Sequence, residues 1–290
     1  MYPAPFDYSA PTTLEDALSM LAKHGDAAKV LAGGHSLLPL MKLRLAAPRH
    51  LVDLRRVASL VGIDAAGDTV RIGAMTTYAT LAGSAELRSA LPMLSNAMLS
   101  IGDPQVRNRG TIGGSLVHAD PAADLPAIML ATDAVLTLVG PKGEREIAAA
   151  DFFLDAFRTA IGPREVMTAI TIPATKPGTG GVYVKRRHPA SRFALIGVAA
   201  VVTLADGGRT IKRARLAVTG IGKKASRARS AEASLLESAP SIGSIHGAAL
   251  LAADEIQPRV DLQGDVAYKR NLTAVFTERA MNEAIRLATR

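Results

Sequence analysis

The pattern of apolar and polar positions near the start of the chain predicts a small α/β unit. Apolar residues recur at helical spacing from Leu14 to Leu21, behind the sequence Thr12-x-x-Glu15, which has the form of a capping box. The other elements predicted here are a strand at 29–32, a helix at 35–45 and a strand at 50–54. We assign this unit to residues 1–56, and its small size requires it to pack against something larger.

A mixed pattern over residues 57–175 predicts a larger α+β unit. Strand patterns at 60–63 and 69–72 flank Gly67-Asp68 as a hairpin, and a helical stretch at 84–100 is interrupted at Pro92. The remaining predicted elements are a helix capped by Thr76 or Thr77, a strand at 135–139, a helix at 151–157 and a strand at 165–172.

The segment PATKPGTGG, residues 173–181, is the clearest linker in the chain. Three strand patterns follow it, at 182–186, 194–204 and 211–218. Three helical patterns come next, at 230–237, 241–256 and 266–288. We therefore expect a third unit over 180–290, with a three-stranded antiparallel sheet beside a helical layer.

Two glycine pairs stand out because each follows an apolar or β-branched run and precedes a hydroxyl residue. The first lies in KVLAGGHS, residues 29–36, and the second in TIGGS, residues 111–115. We interpret the second as a strand, a tight turn and, at Asp120-Pro121, the capped start of a helix that ends near residue 131. Unpaired N–H groups in such turns can bind a phosphate or pyrophosphate. We therefore predict that the two turns bind the two ends of one elongated anionic ligand.

The spacing of these glycines matches neither a Rossmann fingerprint nor a Walker A loop, so a nucleotide site would belong to another fold. A hydrolase elbow at Ser36 also fails, because Leu38 stands where its second glycine is needed. We assign no catalytic acid, base or nucleophile to this chain.

The composition excludes several kinds of chemistry. The chain has no cysteine, so it offers no disulfide framework, thiolate zinc site, cysteine nucleophile or ordinary ligand set for an iron–sulfur cluster. Its histidines are scattered, which predicts no metal site, and any electron chemistry would need an organic cofactor. The start of the chain lacks the pattern of a secretory signal, and the longest apolar run, at 194–205, is too short for a membrane span. We therefore expect a cytoplasmic protein without a transmembrane segment.

The formal net charge of +8 raises the question of a nucleic-acid partner. Most of the excess lies at 185–187 and 209–229, but aromatic residues make up only 4% of the chain and tryptophan is absent. We expect a solvated or partner-facing basic surface and no nucleic acid, with a basic nucleic-acid-binding protein as the alternative. Lys223, Lys224 and Arg227 are the candidates for a docking face.

Two side chains outside the glycine turns have competing interpretations. Asp124 is either a first-turn carboxylate favoured by the helix dipole or an acceptor for a ribose or ring-edge donor. Lys185 is a solvated strand charge unless the third unit folds back onto the ligand.

The segments AGGHSLLPLMKLR at 32–44 and GTIGGSLVHADPAADLP at 110–126 resemble the two FAD-binding motifs of the medium subunits of molybdenum hydroxylases. This is the family of aerobic carbon monoxide dehydrogenase and xanthine dehydrogenase, and the similarity covers nearly the whole chain. Further similar segments are VDLRRV at 52–57, RIGAMTTYATL at 71–81, EVMTAITIP at 165–173, KRR at 185–187 and FALIGVAA at 193–200. The resemblance implies an α+β fold: a two-subdomain FAD-binding module of the vanillyl-alcohol-oxidase/PCMH type, then a C-terminal domain that closes over the flavin.

The resemblance also implies which residues contact FAD. Those of the two motifs surround the pyrophosphate, and single residues elsewhere supply apolar and polar contacts. The full set is Val30, Ala32, Gly33, Gly34, His35, Ser36, Ile101, Thr111, Gly113, Gly114, Ser115, Asp124, Val166 and Lys185.

The function implied is that of an FAD-carrying electron-transfer subunit. Substrate would be oxidised at the molybdenum cofactor of a large partner subunit, and electrons would come from iron–sulfur clusters of a small one, within a dimer of heterotrimers. This chain would deliver them to an external acceptor. A free-standing flavin oxidoreductase of the same fold is the alternative.

Overall fold

The first three strands form a parallel sheet in the computed structural model, which describes residues 2–290 and leaves only Met1 outside. The elements are β1 (Asp7–Ser9), α1 (Leu14–His24), β2 (Ala28–Leu31), α2 (Leu37–Lys42) and β3 (His50–Asp53), with the strand order β1-β3-β2. Thr13 caps α1 by accepting a hydrogen bond from the Asp16 N–H, so the predicted cap at Thr12 is one residue too early. The buried face of α1, Ala17 and Leu21, packs on Val52 of β3 and its neighbours.

The middle of the chain builds a five-stranded antiparallel sheet with the order β4-β5-β10-β6-β7. Its elements are β4 (Ile63–Asp64), β5 (Thr69–Gly73), α3 (Tyr78–Gly83), α4 (Ala85–Ala90), α5 (Pro92–Met98), α6 (Pro104–Arg109), α7 (Ile112–His118), α8 (Leu125–Ala131), β6 (Val135–Gly140), β7 (Gly143–Ala148), α9 (Ala149–Phe152), β8 (Phe153–Asp155), β9 (Arg158–Thr159) and β10 (Val166–Pro173). Thr77, one of the two predicted caps, caps α3. The helical stretch is interrupted at Pro92, as predicted, because Pro92 begins the separate helix α5.

Two local predictions in this region are wrong, and one strand was not predicted. The helix expected at 151–157 ends at Phe152, and the chain continues as the hairpin of β8 and β9. Asp120 does not cap a helix: its Oδ1 accepts from the Ala122 N–H at 2.8 Å, and α8 begins at Leu125 instead. The charged strand β7 was missed because it is an exposed edge strand without a buried face.

The last part of the chain forms a second antiparallel sheet, in the order β11-β12-β13-β14, covered by three helices. Its elements are β11 (Thr179–Arg187), β12 (Ala194–Ala205), β13 (Thr210–Thr219), β14 (Ser226–Arg227), α10 (Arg229–Leu235), α11 (Ile242–Glu255) and α12 (Val266–Ala288). The short β14 is a fourth strand beyond the three predicted. Part of the expected linker, from Thr179 onward, also belongs to the sheet. A Cβ on Gly180 would lie 1.9 Å from the Ala284 carbonyl oxygen, so this glycine lets α12 lie directly on β11.

Strand β12 is apolar along most of its length because both of its faces are buried. Val198 and Val202 face the cluster formed with α10–α12, whereas Ala199 and Val201 belong to the core of the middle sheet. The long apolar run is therefore a strand between two cores. In the part of the chain that the structure describes, no helix combines the length and hydropathy that a membrane crossing requires.

Much of the basic excess is used inside the fold. The Asp133 carboxylate binds Arg213 Nη2 at 2.7 Å, Arg215 Nε at 2.9 Å and Arg227 Nη1 at 3.1 Å. Lys224 Nζ donates to the Phe153 carbonyl at 2.7 Å. The predicted docking face is therefore wrong for Lys224 and Arg227, which hold the sheet of β11–β14 against the middle unit.

We expect Asp133→Asn to lower the free energy of unfolding by about 1 kcal/mol at neutral pH, a value that allows for solvent screening of this half-exposed group. Burial raises the pKa of Asp133, but hydrogen bonds from Arg213 and Arg215 overcome it and leave the pKa below its usual value. A lowered pKa stabilises the fold above the pKa of the unfolded chain, and this stabilisation disappears as the pH falls through the folded value. The deficit of the variant, measured by urea unfolding, should thus shrink in acid.

Asp68→Asn is the matched control, because Asp68 pairs with Lys176 at 3.4 Å with both side chains mostly exposed. It should leave stability unchanged within about 0.5 kcal/mol. An equal effect of the two substitutions would contradict the role given to Asp133.

Candidate functional site

The first glycine motif is a loop between β2 and α2 that presents consecutive backbone donors. No other described residue accepts a hydrogen bond from the N–H groups of Gly33, Gly34, His35 and Ser36. Gly34 has a φ of +83°, which favours glycine, and Ser36 occupies the N-cap position of α2 without making a capping bond. The loop therefore offers four N–H groups and a hydroxyl to an anion.

The second motif has a different local structure from the one predicted. Thr111 caps α7, and Gly113 and Gly114 lie in its first turn, so the predicted strand and tight turn are wrong. The N–H groups are already paired: Ile112 with Thr76 O at 3.1 Å, Gly113 with Ala74 O at 2.8 Å, Gly114 with Thr111 Oγ1 at 3.2 Å and Ser115 with Thr111 O at 3.1 Å. What this motif can still donate is the hydroxyl hydrogens of Thr111 and Ser115.

The two motifs lie against each other. A Cβ on Gly33 would lie 2.2 Å from the carbonyl oxygen of Arg109 and 3.0 Å from the Cα of Gly110. A Cβ on Gly114 would lie 3.3 Å from the Cβ of Ala32. Glycine at these positions lets the two backbones approach within van der Waals distance, so the donors of both motifs share one region.

The apolar site candidates fall into two groups. Val30 and Ala32 pack on the cluster that contains Val166, so these three lie beside the first motif. Ile101 belongs to the core of the middle sheet, and its carbonyl accepts from Arg107 Nη1 at 3.2 Å.

Asp124 and Lys185 form a buried ion pair between the middle unit and β11. Lys185 Nζ lies 2.9 Å from Asp124 Oδ1 and 3.0 Å from Oδ2, and each side chain is only 5% exposed. The same ammonium donates to the Arg192 carbonyl at 3.1 Å, and the Tyr183 hydroxyl donates to Asp124 Oδ1 at 2.6 Å. Lys185 is therefore not a solvated strand charge, and Asp124 makes no helix-capping bond.

Burial dominates the electrostatics around this pair. It raises the pKa of Asp124, although the Lys185 ammonium and the Tyr183 hydroxyl oppose the rise. Burial and the Asp124 charge raise the pKa of Tyr183 well above its usual value. Burial also raises the pKa of Tyr78, whose phenol neighbours Ser115, to about 12. Both phenols therefore stay protonated at neutral pH, and the Tyr183 hydroxyl acts as a hydrogen-bond donor to Asp124.

Sequence reasoning missed Tyr183 and the carbonyl of Arg192. Tyr183 lies two residues before Lys185 in one strand, and period-two alternation puts both side chains on the same face, which was the available signal. Among the described residues, no hydrogen bond or ion pair joins the first motif to Asp124 and Lys185. Residues 2–290 also contain no cluster of three or more acidic or histidine side chains that could hold a metal ion.

Residues 4–175 match the family model described as the FAD binding domain in molybdopterin dehydrogenase. The chain belongs to this family. Residues 182–284 of the flavoprotein match a second model, the CO dehydrogenase flavoprotein C-terminal domain. FAD is therefore its cofactor, and the flavoprotein is an oxidoreductase component, as the two sequence motifs indicated.

Relatives match the flavoprotein along almost its whole length. It is 41% identical over 284 residues to the carbon monoxide dehydrogenase medium chain of Hydrogenophaga pseudoflava, with 98% of each chain covered. It is 39% identical over 290 residues to the 6-hydroxypseudooxynicotine dehydrogenase complex subunit alpha of Paenarthrobacter nicotinovorans, with 99% of this chain and 97% of the relative covered. A solved structure of the Hydrogenophaga pseudoflava carbon monoxide dehydrogenase contains a chain of 43% identity that superposes with a TM-score of 0.95, with 98% of each chain covered. The predicted α+β fold of an FAD-binding module and a C-terminal domain is thereby confirmed.

Lys185→Met should be strongly destabilising, because it leaves the Asp124 carboxylate buried without its cation. We expect a loss of about 3–5 kcal/mol in the free energy of unfolding. Adding Asp124→Asn to this variant removes the unpaired charge and should recover part of the loss. Urea unfolding at one fixed FAD concentration measures both effects.

Lys176→Met removes the exposed partner of Asp68 and serves as the control, with an expected change below about 0.5 kcal/mol. If Asp124→Asn instead added its own full cost to that of Lys185→Met, the two side chains would not be energetically coupled.

Proposed function

We propose that this flavoprotein is the electron-transfer subunit of a molybdenum hydroxylase complex. It receives electrons from iron–sulfur clusters of a small partner subunit and delivers them to an external acceptor. Substrate is oxidised at the molybdenum cofactor of a large partner subunit, within a dimer of heterotrimers. Support comes from the relatives, which are named as a medium chain and as a subunit of a complex, and from the absence of cysteine ligands on this chain.

When bound, FAD supplies one-electron and two-electron redox chemistry, while the residues of this chain bind and orient it. The observation that carries the proposal is the run of four N–H groups, Gly33 to Ser36, with no acceptor among the described residues and with the second motif packed beside it. These N–H groups donate to the pyrophosphate, and the hydroxyls of Thr111 and Ser115 donate beside them. Fixed backbone dipoles stabilise two phosphates without side-chain reorganisation.

The other candidate residues complete the site around these proposed contacts to the pyrophosphate. Val30, Ala32 and Val166 supply its apolar side, and Ile101 lies next to Gly102, whose carbonyl accepts from Arg192 Nη1 at 3.3 Å. Asp124 accepts a hydrogen bond from a polar group of FAD. Lys185 already has three contacts within the protein, so it holds Asp124 rather than the cofactor directly.

We also propose that the chain divides into the units 1–56, 57–175 and 180–290, as the sequence predicts. Its support is that each unit contains a sheet of its own, of three, five and four strands respectively.

Gly33→Ala should reduce the amount of FAD retained per chain severalfold, because its Cβ forces the first motif away from Arg109. Gly83→Ala is the control, since nothing lies within 4 Å of the Cβ that it adds. Absorbance of the purified chains at flavin wavelengths, normalised to protein, measures retention. Full retention by Gly33→Ala would place the pyrophosphate elsewhere.

Native purification tests the proposed function as a whole. We expect the flavoprotein to elute with two further chains, and the assembly to contain molybdenum and iron as well as FAD. A yellow single chain that oxidises a small alcohol or amine by itself would instead establish a free-standing flavin oxidoreductase.

A further inference from the structure

A glycine in the middle of β12 is explained by a tyrosine hydroxyl. Gly197 pairs with Lys185 across the two strands, and a Cβ added to it would lie 2.0 Å from the Tyr183 hydroxyl and 2.7 Å from its Cζ. Glycine inside a strand weakens the strand, so its presence marks a place where another group needs the space. Because Gly197 has no side chain, the hydroxyl end of the Tyr183 ring can lie against β12.

In this position, Tyr183 determines which oxygen of the Asp124 carboxylate can still accept a hydrogen bond. Asp124 Oδ1 accepts from both the Tyr183 hydroxyl, at 2.6 Å, and Lys185 Nζ, at 2.9 Å. Oδ2 accepts only from Lys185 Nζ, at 3.0 Å, among the described residues. A carboxylate oxygen has room for a second donor, so Oδ2 has acceptor capacity to spare and Oδ1 does not.

The backbone before Asp124 is fixed from the same side. The Thr219 hydroxyl lies 2.9 Å from the Pro121 carbonyl oxygen and 2.8 Å from that of Ala123. The Thr219 methyl would lie 2.9 Å from a Cβ on Gly197. The sheet of β11–β13 thus holds both the carboxylate and the chain segment that carries it.

We propose that Tyr183 and Gly197 are positioning residues that turn Oδ2 of Asp124 toward FAD, where it accepts a hydrogen bond from an N–H or O–H group of the cofactor. The inference rests on the proposed contact between Asp124 and FAD. Tyr183 saturates Oδ1, and Gly197 gives the hydroxyl the room to do so. Neither residue needs to touch the cofactor itself.

The test compares the FAD affinity of the full-length chain and five variants across a range of pH, and one of the five, Asp124→Asn, removes the carboxylate itself. Tyr183→Phe removes the hydroxyl, and Gly197→Ala displaces it. One control is Tyr268→Phe, at a residue that is 39% exposed. The other is Gly181→Ala, at another glycine of the β11–β12 sheet, where an added Cβ makes only ordinary contacts at 3.5 Å or beyond. We expect Tyr183→Phe and Gly197→Ala each to weaken FAD binding roughly tenfold, since a hydrogen bond to a charged group is lost. The controls should stay within about twofold of the wild type.

The pH profile separates positioning from a general loss of stability. The charged and titratable groups facing Asp124 are Lys185 and Tyr183 on β11 and Tyr78 on α3. Losing the Tyr183 hydrogen bond makes the ionised Asp124 less favourable, so the pH at which FAD binding weakens should rise by roughly one unit in Tyr183→Phe. Asp124→Asn should bind FAD weakly and show no such transition.

The outcomes distinguish the inference from the contact on which it rests. If Asp124→Asn weakens binding while Tyr183→Phe has the affinity and pH profile of Tyr268→Phe, Asp124 contacts FAD without help from Tyr183 and the inference is wrong. If Asp124→Asn binds FAD as tightly as the wild type, the proposed contact and the inference both fail. Thermal unfolding of each FAD-free variant identifies any that is merely misfolded, and Tyr183→Phe, which adds no atoms, then decides.

Discussion

The closeness of two backbones is the constraint on which the cofactor site depends. Gly33 rests on the carbonyl of Arg109 with no side chain between them, and Gly114 rests against Ala32. The loop between β2 and α2 and the first turn of α7 are therefore brought together, the loop with unpaired N–H groups and the helix with the hydroxyls of Thr111 and Ser115. Because backbone donors are fixed by the fold, the site is organised before any ligand arrives, and the ordering cost of binding is correspondingly small.

The buried ion pair of Asp124 and Lys185 has a different task, which is to hold the sheet of β11–β14 on the middle unit. Removing two charges from water is costly, and the cost is met only when every donor and acceptor finds a partner. Here the ammonium has three acceptors and the carboxylate gains the Tyr183 hydroxyl as well. Salt screens such a pair much less than it screens the exposed contact of Lys176 with Asp68.

Several of the cations behind the net charge of +8 are paired within the fold and do not form a free basic surface. Three arginines converge on Asp133, Lys224 is tied to a backbone carbonyl, and Lys185 is buried, so cations from both basic stretches stabilise contacts between the units. These cations are therefore not part of the free basic surface that a nucleic-acid-binding protein needs. The match to the FAD-binding family over residues 4–175 accounts for the glycine motifs instead.

The sequence alone determined the elements whose signal is local and repeated. The helix predicted at 266–288 is α12, and the strand predicted at 194–204 is β12. Both could be predicted because a long apolar pattern indicates its element independently of the rest of the chain. The two motifs also identified the family, because their spacing can be recognised in the sequence without knowing which local structure they adopt. Only the tertiary structure decided that Gly113 and Gly114 begin a helix, that β7 pairs with β6, and that Tyr183 reaches Asp124 across 59 positions of chain. The start of α7 and the contact of Tyr183 depend on partners distant in sequence, and the energy of a buried hydrogen bond exists only once the fold has brought those partners together. Strand β7 follows β6 directly, but it is exposed along most of its length and so shows no apolar face in the sequence.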